Sequence, residues 1–267
     1  MRSRYELSIR LLFVALVGLF VLGAPLSATA LDLEIGIGAK GGGTGMGATE
    51  VPEEPTYPCE NRTCTTDPEL YGLFGPGLAG GPVLEIKLAK AVGIETGYYF
   101  ANDSTEGTND ITNEADQKIG EITQIQTTSA HHIPLLLKGS PPFDRVRPFL
   151  GLGLEFVMQK SSSLEYEGEN VTQGTIDARA NRNSVRPSNY TLFQVTAGVE
   201  IDAGPVRVPI ELRAGYNLGW DDGFDKRVKV DQANDGLVGN EKFVYDGEYI
   251  GHFGLFAGIL YRWDVAL

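Results

Sequence analysis

Along most of the chain, apolar and polar residues alternate with a period of two, the signature of strands whose successive side chains point to opposite faces. The clearest stretch is the last, Tyr249 to Leu267. One face carries Phe253, Leu255, Ala257, Ile259, Tyr261, Trp263 and Val265; the other carries His252, Gly254, Phe256, Gly258, Leu260, Arg262 and Asp264. One greasy face and one mixed face holding an arginine describe a strand with lipid or core on one side and a charged interior on the other.

The same alternation predicts seven earlier strands. They run over Leu31–Lys40, Val83–Ala89, Val92–Ala101, Ile122–Lys138, Val146–Lys160, Asn189–Asp202 and Arg207–Trp220. Long polar connections are expected at roughly 41–80, 102–121, 161–188 and 221–248, and short turns near 90–91, 139–145 and 203–206. Long and short connections therefore take turns, as they do in an even-stranded antiparallel membrane barrel with short periplasmic turns and long external loops. A soluble eight-stranded barrel such as a lipocalin would have polar outer faces and no reason to keep its long loops at one end. The expected fold is all-β, an eight-stranded up-and-down transmembrane barrel.

Met1 to Ala30 has the form of an export signal. Arg2, Arg4 and Arg10 form a basic start, Leu11 to Gly23 an apolar run, and Ala28-Thr29-Ala30 a small-residue cleavage site. The run is shorter than the ~20 residues a membrane-spanning helix needs. The two expected parts are thus a signal peptide over 1–30 and the barrel over 31–267. The signal carries three arginines and one glutamate, so the 22 basic and 35 acidic residues of the whole chain fall to 19 and 34, a net −15. Such an excess excludes nucleic acid, whose phosphates demand lysine and arginine. Beyond the signal no stretch is long enough for a spanning helix, so a membrane location would require strands.

Three motifs, His132-Ile133-Pro134-Leu135-Leu136-Leu137-Lys138, Pro148-Phe149-Leu150-Gly151-Leu152-Gly153 and Gly258-x-x-Tyr261-x-Trp263, together resemble the small porin-like outer-membrane β-barrel domain family, akin to OmpA- and OmpX-type barrels. The resemblance spans the chain after its signal. It implies residence in a bacterial outer membrane as a monomer, contact with outer-membrane lipid, and recognition of Tyr249 to Leu267 by a barrel-assembly machinery. The chain departs from the family's terminal phenylalanine by ending Asp264-Val265-Ala266-Leu267, which displaces that insertion signal from the end. Many members have no assigned activity. The implied role is structural or one of surface interaction through the external loops, with the external ligand unspecified.

By parity, the inner faces hold Glu34, Glu85, Lys87, Glu95, Glu155, Glu200, Glu211, Arg213 and Arg262. An eight-stranded barrel is only wide enough for its side chains to fill, so these should form a salt-bridged plug, or else a gated ion path. All but Glu155 sit near the turn end and should share one layer, with Arg262 at its centre bonded to Glu34 or Glu211. Five carboxylates against three bases in that layer imply bound water or carboxyls that hold their protons.

Other chemistry is sparse. Cys59 and Cys64 have no histidine or further cysteine nearby, so in an oxidising compartment a local disulfide is expected rather than a metal site. Asp231 to Lys242 imitates a calcium loop but has Ala233 and Lys242 where ligands belong. No cofactor is expected. Ser129 and His131 stand two apart on one face, loosely similar to the wall-mounted pair of lipid A deacylase barrels, which makes an acyl hydrolase the alternative function. Their order along the chain is reversed, no carboxylate lies on that face, and the spacing of ~6–7 Å is beyond hydrogen-bond reach. A strand bulge at His131-His132, turning one histidine inward, is expected instead. A narrow passive channel is the remaining reading.

Overall fold

The computed structural model describes residues 32–48, 56–59, 62–65, 73–112, 117–141, 143, 145–220, 228–232 and 241–266. The expected signal peptide lies outside them. Eight strands form the wall: β1 (Asp32–Ala48), β2 (Leu73–Leu88), β3 (Val92–Gly97 and Tyr99–Thr112), β4 (Lys118–Gly139), β5 (Val146–Glu169), β6 (Asn189–Ala203), β7 (Val206–Asn217) and β8 (Gly251–Ala266). Each pairs antiparallel with the next, and β8 returns to β1 in unbroken register from Asp32↔Ala266 to Gly47↔Gly251. The ring has no free edge. β3 is interrupted at Tyr98 because its partner Pro82 has no N–H to donate; Tyr98 N still donates to Pro82 O at 3.0 Å.

Alternation assigns every side chain of the ring to one of two environments. Ile94, Leu137, Leu150, Leu212, Leu255, Ile259 and Trp263 all point outward, with Leu255 56 % and Ile259 62 % exposed. An unbroken belt of bare aliphatic and aromatic groups on a wall whose inner face is charged inverts a soluble protein, and only lipid covers such a surface. Among the described residues no helix is long and apolar enough to cross a membrane. The crossing is made by strands.

Turns close one end. Ala89 and Lys90 both adopt positive φ, 50° and 57°, the left-handed pair at the centre of the turn that Ala91 N closes on Leu88 O at 3.1 Å. Gly204, at φ 71°, turns β6 into β7. These fall where the sequence places short turns.

The other end differs from the expectation. Much of what reads as polar loop is strand: β1 runs on to Ala48, β2 begins at Leu73, β3 reaches Thr112, and β5 continues to Glu169. β4 and β5 remain paired as far as Glu121↔Glu169. Beyond the lipid the outward face meets water while the inward face is filled largely by polar or small groups such as Thr44, Asp103, Thr105 and Asn109, so apolar–polar alternation disappears while backbone pairing persists. The connection after β5 holds a helix, α1 (Gln173–Arg182), which begins where Thr172 accepts a hydrogen bond from Thr175 N at 3.4 Å. Segments Asn183–Arg186, Glu241–Asp246 and Val228–Gln232 then pair into a small separate sheet.

Closure of β8 onto β1 depends on glycine. A Cβ at Gly42 would stand 2.0 Å from the Leu255 carbonyl oxygen, whereas one at Gly43 would meet nothing within 4 Å. Gly42→Ala should therefore lower stability by about 1–3 kcal/mol, and Gly43→Ala should not lower it. Urea unfolding in detergent micelles measures both, and equal effects would contradict the seam geometry.

Candidate functional site

The inner face of the ring is filled by two tiers of ion pairs with a histidine–carboxylate cluster above them. At the turn end Arg207 on β7 is the hub. Its guanidinium bonds Glu34 on β1, reaches Glu85 on β2 at 2.9 Å, and stands 3.4 Å from Glu200 and 3.3 Å from Asp202 on β6. Lys87 bonds Glu200 and lies 3.4 Å from Glu85; Arg147 bonds Asp202 and donates to Phe143 O at 2.9 Å. Arg207 is 1 % exposed.

One tier further in, Lys40, Lys138 and Arg213 surround Glu95 and Glu211. Lys40 donates to both at 2.7 and 2.8 Å, Lys138 at 2.5 and 3.2 Å, and Arg213 lies 2.8 Å from Glu95 and 2.5 Å from Glu211. Lys138 also sits 4.2 Å above the Phe149 ring, and Arg213 about equally far from the rings of Tyr99 and Phe256, at 5.0 and 4.9 Å. Aromatic faces thus take up cationic charge that carboxylates leave over. Lys138 to Glu85 at 3.7 Å joins the two tiers.

Towards the loop end, His132 Nδ1 bonds Glu155, and His252 Nδ1 lies 3.8 Å from the same oxygen. Above them Tyr249 packs with Met46, Ala130, Val157, Tyr190 and Leu192, and its hydroxyl donates to Thr128 at 3.0 Å. The Gly247 carbonyl accepts from Gln126 at 3.4 Å and from Gln159 at 2.5 Å. The segment before β8 therefore lies across the mouth as a roof.

The sequence expectations for this interior are corrected in two respects. Arg262 is not the centre: it sits at the rim with an 18 % exposed side chain, 3.2 Å from Asp202 and 3.5 Å from Glu34. The nominated charges do not share one layer either, and they are not short of cations. Lys40, Lys138, Arg147 and Arg207, together with Asp202, belong to the same network and bring seven cations to six carboxylates across the two tiers. Bare parity could have found all of them. Lys40 shares its face with Glu34, Lys138 with Leu136, Arg147 with Gly151, and Arg207 with Glu211.

Ser129 and His131 are not brought together. Ser129 donates to Asn102 at 2.6 Å, while His131 meets the Tyr98 hydroxyl at 2.6 Å and stacks on the Tyr98 ring. The bulge expected at His131-His132 lies instead at Ser129/Ala130, where β5 carries Lys160 as its extra residue. Simple alternation sends His131 out and His132 in. The hairpin of Thr56–Cys59 with Arg62–Thr65 sets Cys64 opposite Tyr57, and the side chains of Cys59 and Cys64 lie outside the described residues.

A closed antiparallel ring of eight strands, apolar outside and ionic inside, is a transmembrane β-barrel. No family model matches the chain, and no curated protein matches it. Among solved structures it is similar to Neisserial surface protein A, with 12 % identity over 86 % of this chain and 97 % of that one, at a TM-score of 0.37. The outer membrane protein OprG of Pseudomonas aeruginosa shares 14 % identity over 88 % and 96 % at 0.38. The outer membrane protease OmpT of Escherichia coli shares 12 % over 89 % and 98 % at 0.32. Likenesses this distant lend this chain no activity and no partner, and its class rests on closure, belt and interior.

Removing the hub should strand four buried carboxylates from three strands. Arg207→Ala is expected to cost about 3–5 kcal/mol, and Arg262→Ala, hydrated at the rim, about 1 kcal/mol. Unfolding midpoints in urea compare the two; a larger loss at Arg262 would restore it as the centre.

Proposed function

We propose that the chain is a bacterial outer-membrane barrel without catalytic activity, which acts through its loop end as a structural or surface-interaction protein. The observation that carries this is the occupied lumen: two ion-paired tiers and a roof leave the interior no part in transport. The exported, strongly acidic chain fits a surface setting, and the extended strands β4 and β5, with α1 and the small sheet, are the material for contacts outside. The turn end then faces the periplasm.

Lipid is the partner of the outer wall. A groove of about 550 Å³, lined by Gly43, Gly45, Val195, Leu212, Phe253 and Leu255, has the apolarity for an acyl chain. The hydrolase reading is disfavoured because Ser129 and His131 are each committed to other partners. The Cys59–Cys64 disulfide belongs to the same proposal, as a clamp shaping the first external connection.

Planar-bilayer recordings of the wild type should show no steady conductance, and stable open steps would refute the closed lumen. In a Cys59→Ser/Cys64→Ser background, Thr175→Cys should react with an impermeant thiol reagent on intact cells and Pro141→Cys should not; the reverse would invert the topology. Thiol titration of unreduced, denatured wild type should find none free. Fatty acid released from phospholipid or lipid A, and lost in both Ser129→Ala and His131→Ala, would make the barrel an enzyme.

A further inference from the structure

The chain has three histidines, and two of them converge on one buried carboxylate from opposite sides of the barrel. His132 projects from β4 and Glu155 from β5, which are paired; His252 comes from β8, which pairs with neither. All three are at most 4 % exposed, and their ligand-capable atoms lie within 4.8 Å of one another.

Their hydrogen bonding is incomplete. His132 Nδ1 is engaged by Glu155, but His132 Nε2 and both ring nitrogens of His252 have no hydrogen-bond partner. The rings are tilted 56° at a centroid distance of 5.5 Å. A buried polar atom left unsatisfied costs about 1–3 kcal/mol, so two imidazoles turned on one carboxylate call for a further species between them.

We propose that His132, Glu155 and His252 form a binding site for a transition-metal dication of the Zn²⁺ class. Two neutral imidazoles and one carboxylate are ligands that zinc, cobalt and nickel favour, whereas calcium and magnesium take oxygen sets. Such a metal lies about 2.0–2.2 Å from each donor, and imidazole and carboxyl torsions give the side chains room to draw in by the ångström or so required. Three protein ligands leave one position for water. Asp103 supplies a second negative charge to this end of the lumen: its Oδ1 accepts from Thr44 at 2.7 Å, its Oδ2 has no partner, and it shares the inward row of β3 with Tyr99, the residue opposite His132. The apolar cluster under Tyr249 contains Met46, opposite His252, and Val157, opposite His132, and so seals the site from the mouth. A metal held there ties β4 and β5 to β8 across the lumen.

Because of that seal, the full chain is refolded into detergent with Co²⁺ present and then freed of excess metal. The expected result is one equivalent of Co²⁺ with the intense visible absorption of a four-coordinate site, displaced by Zn²⁺. His252→Ala and Glu155→Gln should lose that absorption and weaken binding by about tenfold or more, since even groups that only orient metal ligands are worth about that much. Ser129→Ala should keep both. Absence of stoichiometric binding in the wild type would mean that water fills the site and would overturn the proposal. So would binding that survives in the His132→Ala/His252→Ala double variant. If the variants do not fold, X-ray absorption of the Zn²⁺-loaded wild type decides: a shell with two imidazoles supports the site, and one without imidazole refutes it.

Discussion

Eight strands can close only around an interior that their own side chains must fill. Everything else in this barrel depends on how that filling is done. Lipid outside forbids unpaired backbone groups and so forces the ring shut. A shut ring of this size turns about half of its residues into a narrow column screened from bulk water. Here the column is built from charge, and a charge without a partner there would be far more costly than one at a surface. The tiers around Arg207 and around Glu95 and Glu211 are the solution, in which each cation meets carboxylates from different strands. The same pairs therefore neutralise the lumen and fix how the strands sit against one another.

The wall was legible in the sequence because lipid on one side and ions on the other impose a strict two-residue rhythm. Phe253 and His252, or Leu212 and Glu211, declare their faces by type alone. Strand ends were not legible. From Ser161 to Glu169 neither face is buried, and from Asn102 to Thr112 the buried face carries polar residues such as Asp103, Thr105 and Asn109, so the apolar–polar rhythm stops although pairing continues. The interior was half legible. Parity gives the inward set, but the residues named from it omit Lys40, Lys138, Arg147 and Arg207 and leave a surplus of negative charge that the structure does not have. Which cation becomes the hub depends on reach across the lumen, and no spacing along one strand encodes that. Arg262 is nearest to the seam, yet Arg207 reaches Glu34, Glu85, Glu200 and Asp202.

Composition divides along the barrel axis in the same way. The turn end and the two tiers are charge-paired and tie the strands of the ring together. The extra strands and α1 are at the loop end. Between these regions stand His132, Glu155 and His252, where charge pairing gives way to imidazole and where hydrogen bonding is left incomplete.

Many of the pairs that fill the lumen join residues far apart in the chain: Lys40 and Glu211 are separated by 171 positions, Arg207 and Glu34 by 173. Pairs of this kind cannot form before most of the polypeptide has arrived, and the nearer ones, such as Lys40 with Glu95 at 55 positions, are completed only with them, because each carboxylate is shared among cations from several strands. Until the ends meet, the inward faces must stay wet. Assembly is therefore a late, concerted dehydration, slow by the usual relation between folding rate and sequence separation. A chain halted one strand short would present an open, ion-lined trough to the membrane, and whatever escorts it there must shelter that trough until β8 docks on β1.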